Sequence, residues 1–485
     1  MTFISTTAGY AMLLLFGVLM FAFTYTFGRW GKWRSKDGFL VANREVGWVL
    51  GGFSIAASWI WAPALFVSVQ MAYQKGLAGI FWFTVPNILS LTVFAWLAPR
   101  IRRALPLGYT LPEFVGFRLG SDRVHKLYLF PYFFYQLMAV TVQLFAGGNL
   151  VSLLTGIPLQ QVMFILAAIV LAYTLISGLE ASIVTDFVQL GIIFIMVAVI
   201  LPPAISSSGG LASITAGFGG TSRVSGMFDP GVAFSFGIVT SIGLIAGSIS
   251  DQSNWQRAFA VRQSELVKAF VFGSLLFGIV PIALSILGFI AANPSSIITL
   301  PAGIDQSMIG VQTIAQLMPR WAVFFFAIGF LAILSSSFDA GLCAASSLWV
   351  ADVVKPNTDE EAVRAARASM VVMTALGLAV ALAVLYIPHF GLDKLWWIFN
   401  TIAACVVGPT LLILYSDRVS EPGVFWGVLV AFAIGIPVFI YANIIDDPTW
   451  VVGSSLFIVV VSTTLALALG PGPRQAQGRR APQSA

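Results

Sequence analysis

The stretch that decides the fold reads GGFSIAASWIWAPA and occupies residues 51–64. It lies inside an apolar segment long enough to cross a bilayer, for which about 20 residues are needed. Pro63 has no N–H group and clashes with the preceding helical turn, so we expect the helix to kink or open there. An open turn exposes carbonyl oxygens, the hard ligands that a small cation prefers. An ordinary proline kink is the alternative.

Apolar segments of this kind fill almost the whole chain. Of its 485 residues, 58% are hydrophobic and 9% are charged, whereas a soluble domain carries about 25% charged residues. So few charges do not cover a globular surface, and no soluble block separates the apolar runs. The composition predicts an all-α polytopic membrane protein with one transmembrane domain over residues 1–469. The Pro-, Gln- and Arg-rich tail, residues 470–485, is predicted to be disordered.

Thirteen segments fit membrane-spanning helices. They lie near 8–28, 46–71, 78–99, 126–154, 159–178, 182–205, 232–252, 267–291, 321–351, 367–387, 395–415, 422–442 and 450–469. The seventh is the weakest, because glycine and serine dilute its hydrophobicity. The first lacks a basic region before it and a small-residue cleavage site after it, so we predict a spanning helix and not a signal peptide.

Basic residues are distributed unequally between the connections. Of the 25 Lys and Arg residues, 21 lie in the odd-numbered connections, the tail and the start of segment 4; the even-numbered connections hold Lys75, Arg223, Arg320 and Lys394. This asymmetry predicts an external N-terminus and a cytoplasmic C-terminus in the plasma (inner) membrane. The net charge of +5 therefore reflects topology, and the expected partners are the lipid bilayer and a small solute, not nucleic acid.

The ninth segment contains a polar run, AILSSSFD at residues 332–339. Ala332, Ser335 and Ser336 have i, i+3, i+4 spacing and share one helix face. Two hydroxyls and a backbone carbonyl supply half the coordination shell of a cation. Serines that bond back to their own helix or join two helices are the alternative.

Two carboxylates fall within spanning segments. Asp186 lies near the predicted cytoplasmic start of segment 6, and Asp339 lies about halfway along segment 9. Acidic groups in a membrane usually face a cavity or a partner, so both are candidates for ion coupling. Cys343 and Cys405 lie in apolar segments and imply no disulfide framework.

Aromatic residues cluster in three segments, with Asn87 nearby. We predict that they wall a solute cavity, although Trp at a membrane interface is commonplace. The predicted lining residues are Trp59, Trp61, Phe81, Trp82, Trp396 and Asn400.

Together these motifs resemble the sodium/solute symporter family, whose members carry sugars, proline, sialic acid, small carboxylates or urea. The resemblance extends from about residue 28 to 415 and includes TLPEF at 110–114, the segment 178–189, DQSNWQR at 251–257 and the serine run. It implies a LeuT-like fold of two inverted five-helix repeats, about 46–205 and 232–415. It also implies secondary active transport by alternating access.

The resemblance further implies a sodium site between segments 2 and 9, with Na⁺ as the coupling ion and no organic cofactor. Its ligands would be the carbonyls of Ala57, Ile60 and Ala332 and the hydroxyls of Ser335 and Ser336. Members with a second sodium site have a hydroxyl where this chain has Ala332. This departure leaves open whether a second sodium binds near Asp186.

The solute and the driving ion have alternatives. SWIW at 58–61 and the DQSNWQR motif are similar to the urea permease branch, which implies urea or another small amide-like or amine solute, although Pro63 is unusual there. Proline or a small carboxylate is the alternative solute, and a proton-coupled symporter that titrates Asp186 or Asp339 is the alternative mechanism.

The lack of an output module in this sequence disfavours a sensor, and a channel is less favoured still. No enzyme is predicted, because His125 and His389 belong to no metal-ligand cluster.

Overall fold

A computed structural model describes residues 3–28, 35–301, 303–387 and 392–469. Within those ranges the chain is helical, and its one β-contact is an isolated bridge between Val46 and Val261. The predicted disordered tail and His389 lie outside the described residues.

The described ranges contain 21 α-helices, numbered here in chain order. They are α1 (Thr6–Gly28), α2 (Lys36–Val41), α3 (Trp48–Trp59), α4 (Ala62–Leu65), α5 (Val67–Thr92), α6 (Phe94–Ala104), α7 (Leu111–Leu119), α8 (Asp122–Thr155), α9 (Leu159–Ser207), α10 (Leu211–Ala216), α11 (Pro230–Val232), α12 (Ile238–Ser250), α13 (Gln252–Ala260), α14 (Leu266–Ala292), α15 (Ile309–Leu317), α16 (Arg320–Leu348), α17 (Asp359–Val384), α18 (Leu392–Tyr415), α19 (Glu421–Val430), α20 (Ile436–Ile444) and α21 (Pro448–Ala468).

Twelve described stretches of helix are long and apolar enough to cross a membrane. They match twelve of the predicted segments, and the shorter apolar helix α3 belongs to the remaining one, segment 2. Segments 5 and 6 run together in α9, which breaks at Gly178 (φ 61°, ψ −141°). A side chain there would be strained by this positive φ and would meet the Phe39 carbonyl oxygen at 2.6 Å.

The second segment is interrupted where the proline predicts it. Helix α3 ends at Trp59, Ile60 and Trp61 are non-helical, and Pro63 lies in the first turn of α4, where a missing N–H costs nothing. The Ala62 N–H, which the break leaves without a helical acceptor, donates to Gln143 Oε1 at 3.0 Å. The predicted helix opening is therefore confirmed, two to three residues before the proline.

A second broken helix mirrors the first. Helix α12 ends at Ser250, Asp251 is extended (φ −80°, ψ 107°), and α13 follows. The Val46 N–H donates to the Ala260 carbonyl at 3.2 Å, so α3 begins beside the point where α13 ends. The two broken helices therefore run in opposite directions, as the first helices of two inverted repeats do, and the LeuT-like fold is confirmed. We call the membrane side that holds Val46 and Ala260 the basic side; it is the predicted cytoplasmic side.

Candidate functional site

A small cavity lies beside the break in the second segment. Its volume is about 20 Å³, roughly the space that one water molecule needs. It is lined by Trp59, Trp61, Pro63, Ala64, Phe83, Asn87, Tyr135, Leu244, Trp396 and Asn400. A larger cleft of about 540 Å³ between α8 and α17 has an almost purely hydrocarbon lining, so it offers a polar solute no hydrogen bonds.

The cavity contains four of the six predicted lining residues, Trp59, Trp61, Trp396 and Asn400. The Trp61 ring lies 5.3 Å from the ring of Phe399 and 5.2 Å from that of Tyr135, measured between centroids. The Trp61 ring therefore packs against two aromatic rings, of which that of Tyr135 also lines the cavity.

Phe81 and Trp82 lie elsewhere. The Phe81 ring contacts Phe228 at 5.0 Å, and Trp82 packs so closely on Gly237 that a Cβ there would be 2.5 Å from the indole. The aromatic residue of α5 that lines the cavity is Phe83, which is not among the predicted lining residues. Because an α-helix turns about 100° per residue, neighbouring aromatic residues on one helix face different surroundings.

Two asparagines provide matching polar groups in the cavity. Asn87 donates from Nδ2 to the Phe83 carbonyl at 2.7 Å and accepts at Oδ1 from the Trp59 indole at 3.1 Å. Asn400 donates to the Trp396 carbonyl at 2.8 Å and accepts from the Tyr135 hydroxyl at 3.5 Å. Each amide therefore keeps one N–H and one oxygen lone pair for a further partner.

The serine run of α16 lies against the break through its third member. Ser337 Oγ donates to the Ile60 carbonyl at 2.8 Å and lies 3.3 Å from the Ala57 carbonyl oxygen. It also lies 3.5 Å from the carbonyl oxygen of Ile333. Two of the three predicted backbone ligands, Ala57 and Ile60, are therefore brought together with the Ser337 hydroxyl, which is not among the predicted ligands.

The two serines that the sequence analysis selects have other partners. Ser335 Oγ donates to the Ala332 carbonyl at 2.8 Å and accepts from Gln189 Nε2 at 3.1 Å. Ser336 Oγ donates to the Asp186 carboxylate. The helix face beside the break thus contains Ile333 and Ser337, one position later than the predicted Ala332 and Ser336.

Asp186 is held in a buried ion pair. Its Oδ2 lies 3.0 Å from the Arg257 guanidinium, and both side chains are fully buried. Ser54 donates to the same carboxylate and accepts from Arg257 Nε at 2.8 Å. Arg257 belongs to the DQSNWQR motif, but sequence spacing does not pair it with Asp186, because the two lie 71 positions apart.

Asp339 is also fully buried, but its bonds are to neutral groups. It accepts from the Tyr173 hydroxyl at 2.9 Å and from the Ser182 hydroxyl at 2.7 Å. These hydroxyls stabilise the carboxylate without cancelling its charge. Asp186 bonds to Ser336, and Asp339 shares the Tyr173 hydroxyl with the Ser335 carbonyl, so both carboxylates lie beside the serine run. Their role in ion coupling stays a prediction.

The chain matches the family model described as the sodium:solute symporter family over residues 39–431. The chain belongs to this family. The family and the relatives found are transporters and not enzymes, so the expectation that this chain is no enzyme is confirmed. Membership and the apolar helices together make it an integral multi-pass membrane protein.

Curated relatives of this symporter-family chain include transporters named for urea and for glucose. The urea-proton symporter DUR3 of Oryza sativa subsp. japonica is 24% identical over 479 residues, which cover 90% of this chain and 66% of the rice protein. The probable urea active transporter 3 of Schizosaccharomyces pombe is 24% identical, with 90% of this chain and 73% of that protein covered. Sodium/glucose cotransporter 1 of Ovis aries is 25% identical, with 86% and 70% covered. The chain thus spans about two thirds of the rice protein's length.

Solved structures support the fold. A Na⁺-coupled sialic acid symporter in a substrate-bound outward-open state superposes with a TM-score of 0.76 at 17% identity, covering 96% of this chain and 98% of that one. Mhp1, a nucleobase-cation-symport-1 family transporter, superposes with a TM-score of 0.56 at 15% identity, covering 88% and 92%.

Proposed function

We propose that this chain is a secondary active symporter that carries a small, neutral, amide-like solute together with Na⁺, with urea as the first candidate solute. The observation that supports it most is the pair Asn87 and Asn400 in an aromatic-walled cavity beside the open helix turn. The names of the rice and fission yeast relatives agree with a urea-type solute.

The chemistry of the cavity favours this solute class. Each asparagine offers one donor and one acceptor, and among the lining residues only Tyr135 is ionisable. A charged solute would need a counter-ion in this lining, whereas a compact molecule with a carbonyl and N–H groups matches both amides. At about 20 Å³ the cavity holds roughly one water molecule, so even urea enters only when the helices move apart.

The proposed sodium ligands are the carbonyls of Ala57, Ile60 and Ile333 with the Ser337 hydroxyl, and Ser336 as the next neighbour. This set shifts the predicted α16 ligands, Ala332, Ser335 and Ser336, by one position. Carbonyl and hydroxyl oxygens fit Na⁺, which prefers hard ligands, and they carry no formal charge that would hold the ion too tightly for release. Asp186 is a weaker candidate for a second sodium, since Arg257 already neutralises it.

The break explains how ion and solute affect each other. Ile60 supplies a carbonyl to the proposed sodium site, and its two neighbours Trp59 and Trp61 line the cavity. An ion that orders this turn therefore also orders the cavity wall. Because binding linkage is reciprocal, the solute must strengthen ion binding by the same factor.

Proton coupling is the second candidate, and Asp339 is the observation in its favour. This buried carboxylate has hydroxyl partners and no cation in contact within the described residues. An ionised Asp at a membrane centre costs about 2.5–3.5 kcal/mol on insertion scales, which a proton would remove. One relative is named a urea-proton symporter.

Uptake in proteoliposomes tests the proposal. Labelled urea, proline, glucose and acetate are offered with an inward sodium gradient, an inward proton gradient or neither. We expect uphill urea uptake with sodium alone. Uphill urea uptake driven by a proton gradient in choline buffer would refute sodium coupling in favour of proton coupling. Uphill transport of proline or acetate but not urea would refute the proposed solute.

A further inference from the structure

Asp251 occupies the break in the second broken helix and forms no ion pair within the part of the chain that the structure describes. Its side chain is fully buried. Its Oδ1 accepts from the Ser253 N–H at 2.8 Å and from Gln136 Nε2 at 3.2 Å, and its Oδ2 has no donor within hydrogen-bond distance. These partners are all neutral, so an ionised Asp251 is stabilised only by these hydrogen bonds and by the N-terminus of α13, which it caps.

Two neighbours of this carboxyl group, Gln136 in contact and Asn254 three positions later, also carry unpaired acceptor oxygens in the described structure. Gln136 is fully buried, and its Oε1 lacks a donor, as does Oδ1 of Asn254. A buried acceptor without a donor costs about 1–3 kcal/mol. The site therefore has an excess of acceptor oxygens and lacks a donor, a mismatch that a proton on Asp251 reduces.

Within the described residues, no nearby titratable group forms an ion pair with Asp251, and the nearby cation, Arg257, already has another partner. Tyr132 and Tyr135 of α8 are neutral phenols, and Tyr132 donates to the Ile249 carbonyl. Arg257 of α13 is paired with Asp186, and Asp339 of α16 bonds to Tyr173 and Ser182. The described interior thus holds three fully buried aspartates, Asp186, Asp251 and Asp339, against the single guanidinium of Arg257.

The place of Asp251 in the fold gives its protonation a consequence. It lies one turn after Gly247, which contacts the solute-cavity residues Asn400 and Tyr135, and it precedes α13, whose residues are all buried. Asp251 therefore lies at the break between the cavity and the buried helix α13. Movement of α13 that opens this side would admit water to the carboxyl group.

We propose that Asp251 is a proton-binding site: it is a neutral carboxylic acid, next to Gln136, while α13 is closed. When α13 opens, the O–H bond breaks, the proton passes to water on the basic side and the carboxylate is hydrated. On closure the proton returns from the same side, so no net proton is transported. The protonation does not depend on the proposed function, whereas the gating role does.

Infrared difference spectroscopy of the full chain in lipid tests the protonation without any transport. We expect the C=O stretch of a protonated carboxyl group to be lost in Asp251→Asn and shifted in Gln136→Leu. The exposed Glu45 provides the control, Glu45→Gln, which should leave the band unchanged. If Asp251→Asn fails to fold, the Gln136→Leu shift decides. No lost band in the first variant, or no shift in the second, would overturn the proposal.

Solute efflux from oriented proteoliposomes tests the gating role. Raising the pH on the basic side should speed efflux in the wild type by up to about tenfold per pH unit, the limit for a single linked proton. Asp251→Asn should remove this dependence and still exchange solute. The same pH dependence in both proteins would refute the gating role. Absence of solute exchange even in the wild type would instead refute the proposed function, and the infrared result would stand.

Discussion

At the scale of single residues, the Ser337 side chain joins α16 to the end of α3. Its hydroxyl lies at two carbonyls beside the break, that of Ile60 and that of Ala57, which also accepts from the Ile60 N–H. Ser335, two positions earlier, bonds to its own helix and to Gln189. The two serines are equal in chemistry and differ only in what they face, so they form a matched pair for mutation.

We expect Ser337→Ala to weaken sodium affinity by about 1–3 kcal/mol, roughly 5- to 150-fold, because it removes a desolvated ligand oxygen. Ser335→Ala should change sodium affinity far less. The measurement is solute uptake as a function of sodium concentration. Solute affinity of Ser337→Ala should fall at low sodium and recover at saturating sodium. Equal sodium dependence in both variants would show that Ser337 only packs helices.

The asparagine pair leads to a second residue-scale prediction. Asn400→Leu and Asn87→Leu should each raise the KM for the solute about tenfold, equivalent to about 1.4 kcal/mol, because each removes a hydrogen-bonding amide from the cavity. Phe81→Leu, on the same helix as Asn87 but packed on Phe228, is the control and should leave KM unchanged. Initial rates over a range of solute concentrations give the answer, and a control as defective as the asparagine variants would contradict the assignment.

Residue types alone predicted the helix break and the serine run, but not which serine faces the break. Pro63 predicts an open turn because proline is the residue type that lacks a backbone N–H and clashes with the preceding helical turn. In Ser335, Ser336 and Ser337, by contrast, three identical side chains follow each other, and only the approach of Ile60 selects one. The Arg257–Asp186 pair depends in the same way on how α13 packs, which sequence spacing does not reveal.

At the scale of helices, close approach between α12 and α18 shapes the cavity. A Cβ on Gly247 would lie 2.1 Å from Asn400 Oδ1 and 2.8 Å from the Tyr135 hydroxyl. Contacts this short force the neighbours to move. The glycine therefore allows Asn400 and Tyr135 to meet beside the break, and the two helices can pack in this way only without a side chain there.

We expect Gly247→Ala to reduce solute affinity at least about tenfold and to lower stability by about 1–3 kcal/mol through overpacking. Gly191→Ala in α9 is the matched control, because a Cβ there meets nothing within 4 Å. Solute binding and thermal unfolding of both variants in detergent would test this. Normal solute affinity in Gly247→Ala would mean that Asn400 moves aside without loss.

Helix α7 on the basic side provides a pH-dependent prediction. Thr110 caps its N-terminus, accepting from the Glu113 N–H at 3.1 Å, and Glu113 Oε2 accepts from the Tyr109 N–H at 2.9 Å. Burial raises the pKa of the Glu113 carboxyl above its usual 4.5, and the nearby Asp352 adds to the shift. A raised folded-state pKa stabilises the fold fully below the unfolded pKa and loses this stabilisation as the pH rises through the folded value.

Glu113→Gln has no such carboxyl to ionise, so its melting temperature relative to wild type should rise as the pH increases from about 4.5. The exposed Glu360 provides the comparison variant, Glu360→Gln. Melting temperatures in detergent across a pH series would measure the difference. A constant difference between Glu113→Gln and wild type at every pH would show that the raised pKa has no effect on stability.

At the scale of the whole molecule, composition predicts the architecture better than it predicts the site. Thirteen apolar segments and their order follow from hydrophobicity alone, and the observed helices match them. The cavity beside the break, by contrast, needs residues from α3, α4, α5, α8, α12 and α18 to converge. Phe83 and not Phe81 reaches it, because the rotation of α5 is set by packing and not by the sequence pattern.

The unequal distribution of Lys and Arg predicts which face of the membrane each connection occupies. Ser225 is exposed in the connection before α11, on the predicted external side, and Glu360 is exposed at the start of α17, on the basic side. The native cysteines, Cys343 and Cys405, are both buried, so they should give little background labelling. In intact cells a membrane-impermeant maleimide should therefore label Ser225→Cys, whereas Glu360→Cys should react only after the membrane is opened. The opposite pattern would invert the whole topology, and with it the side on which Asp251 exchanges its proton.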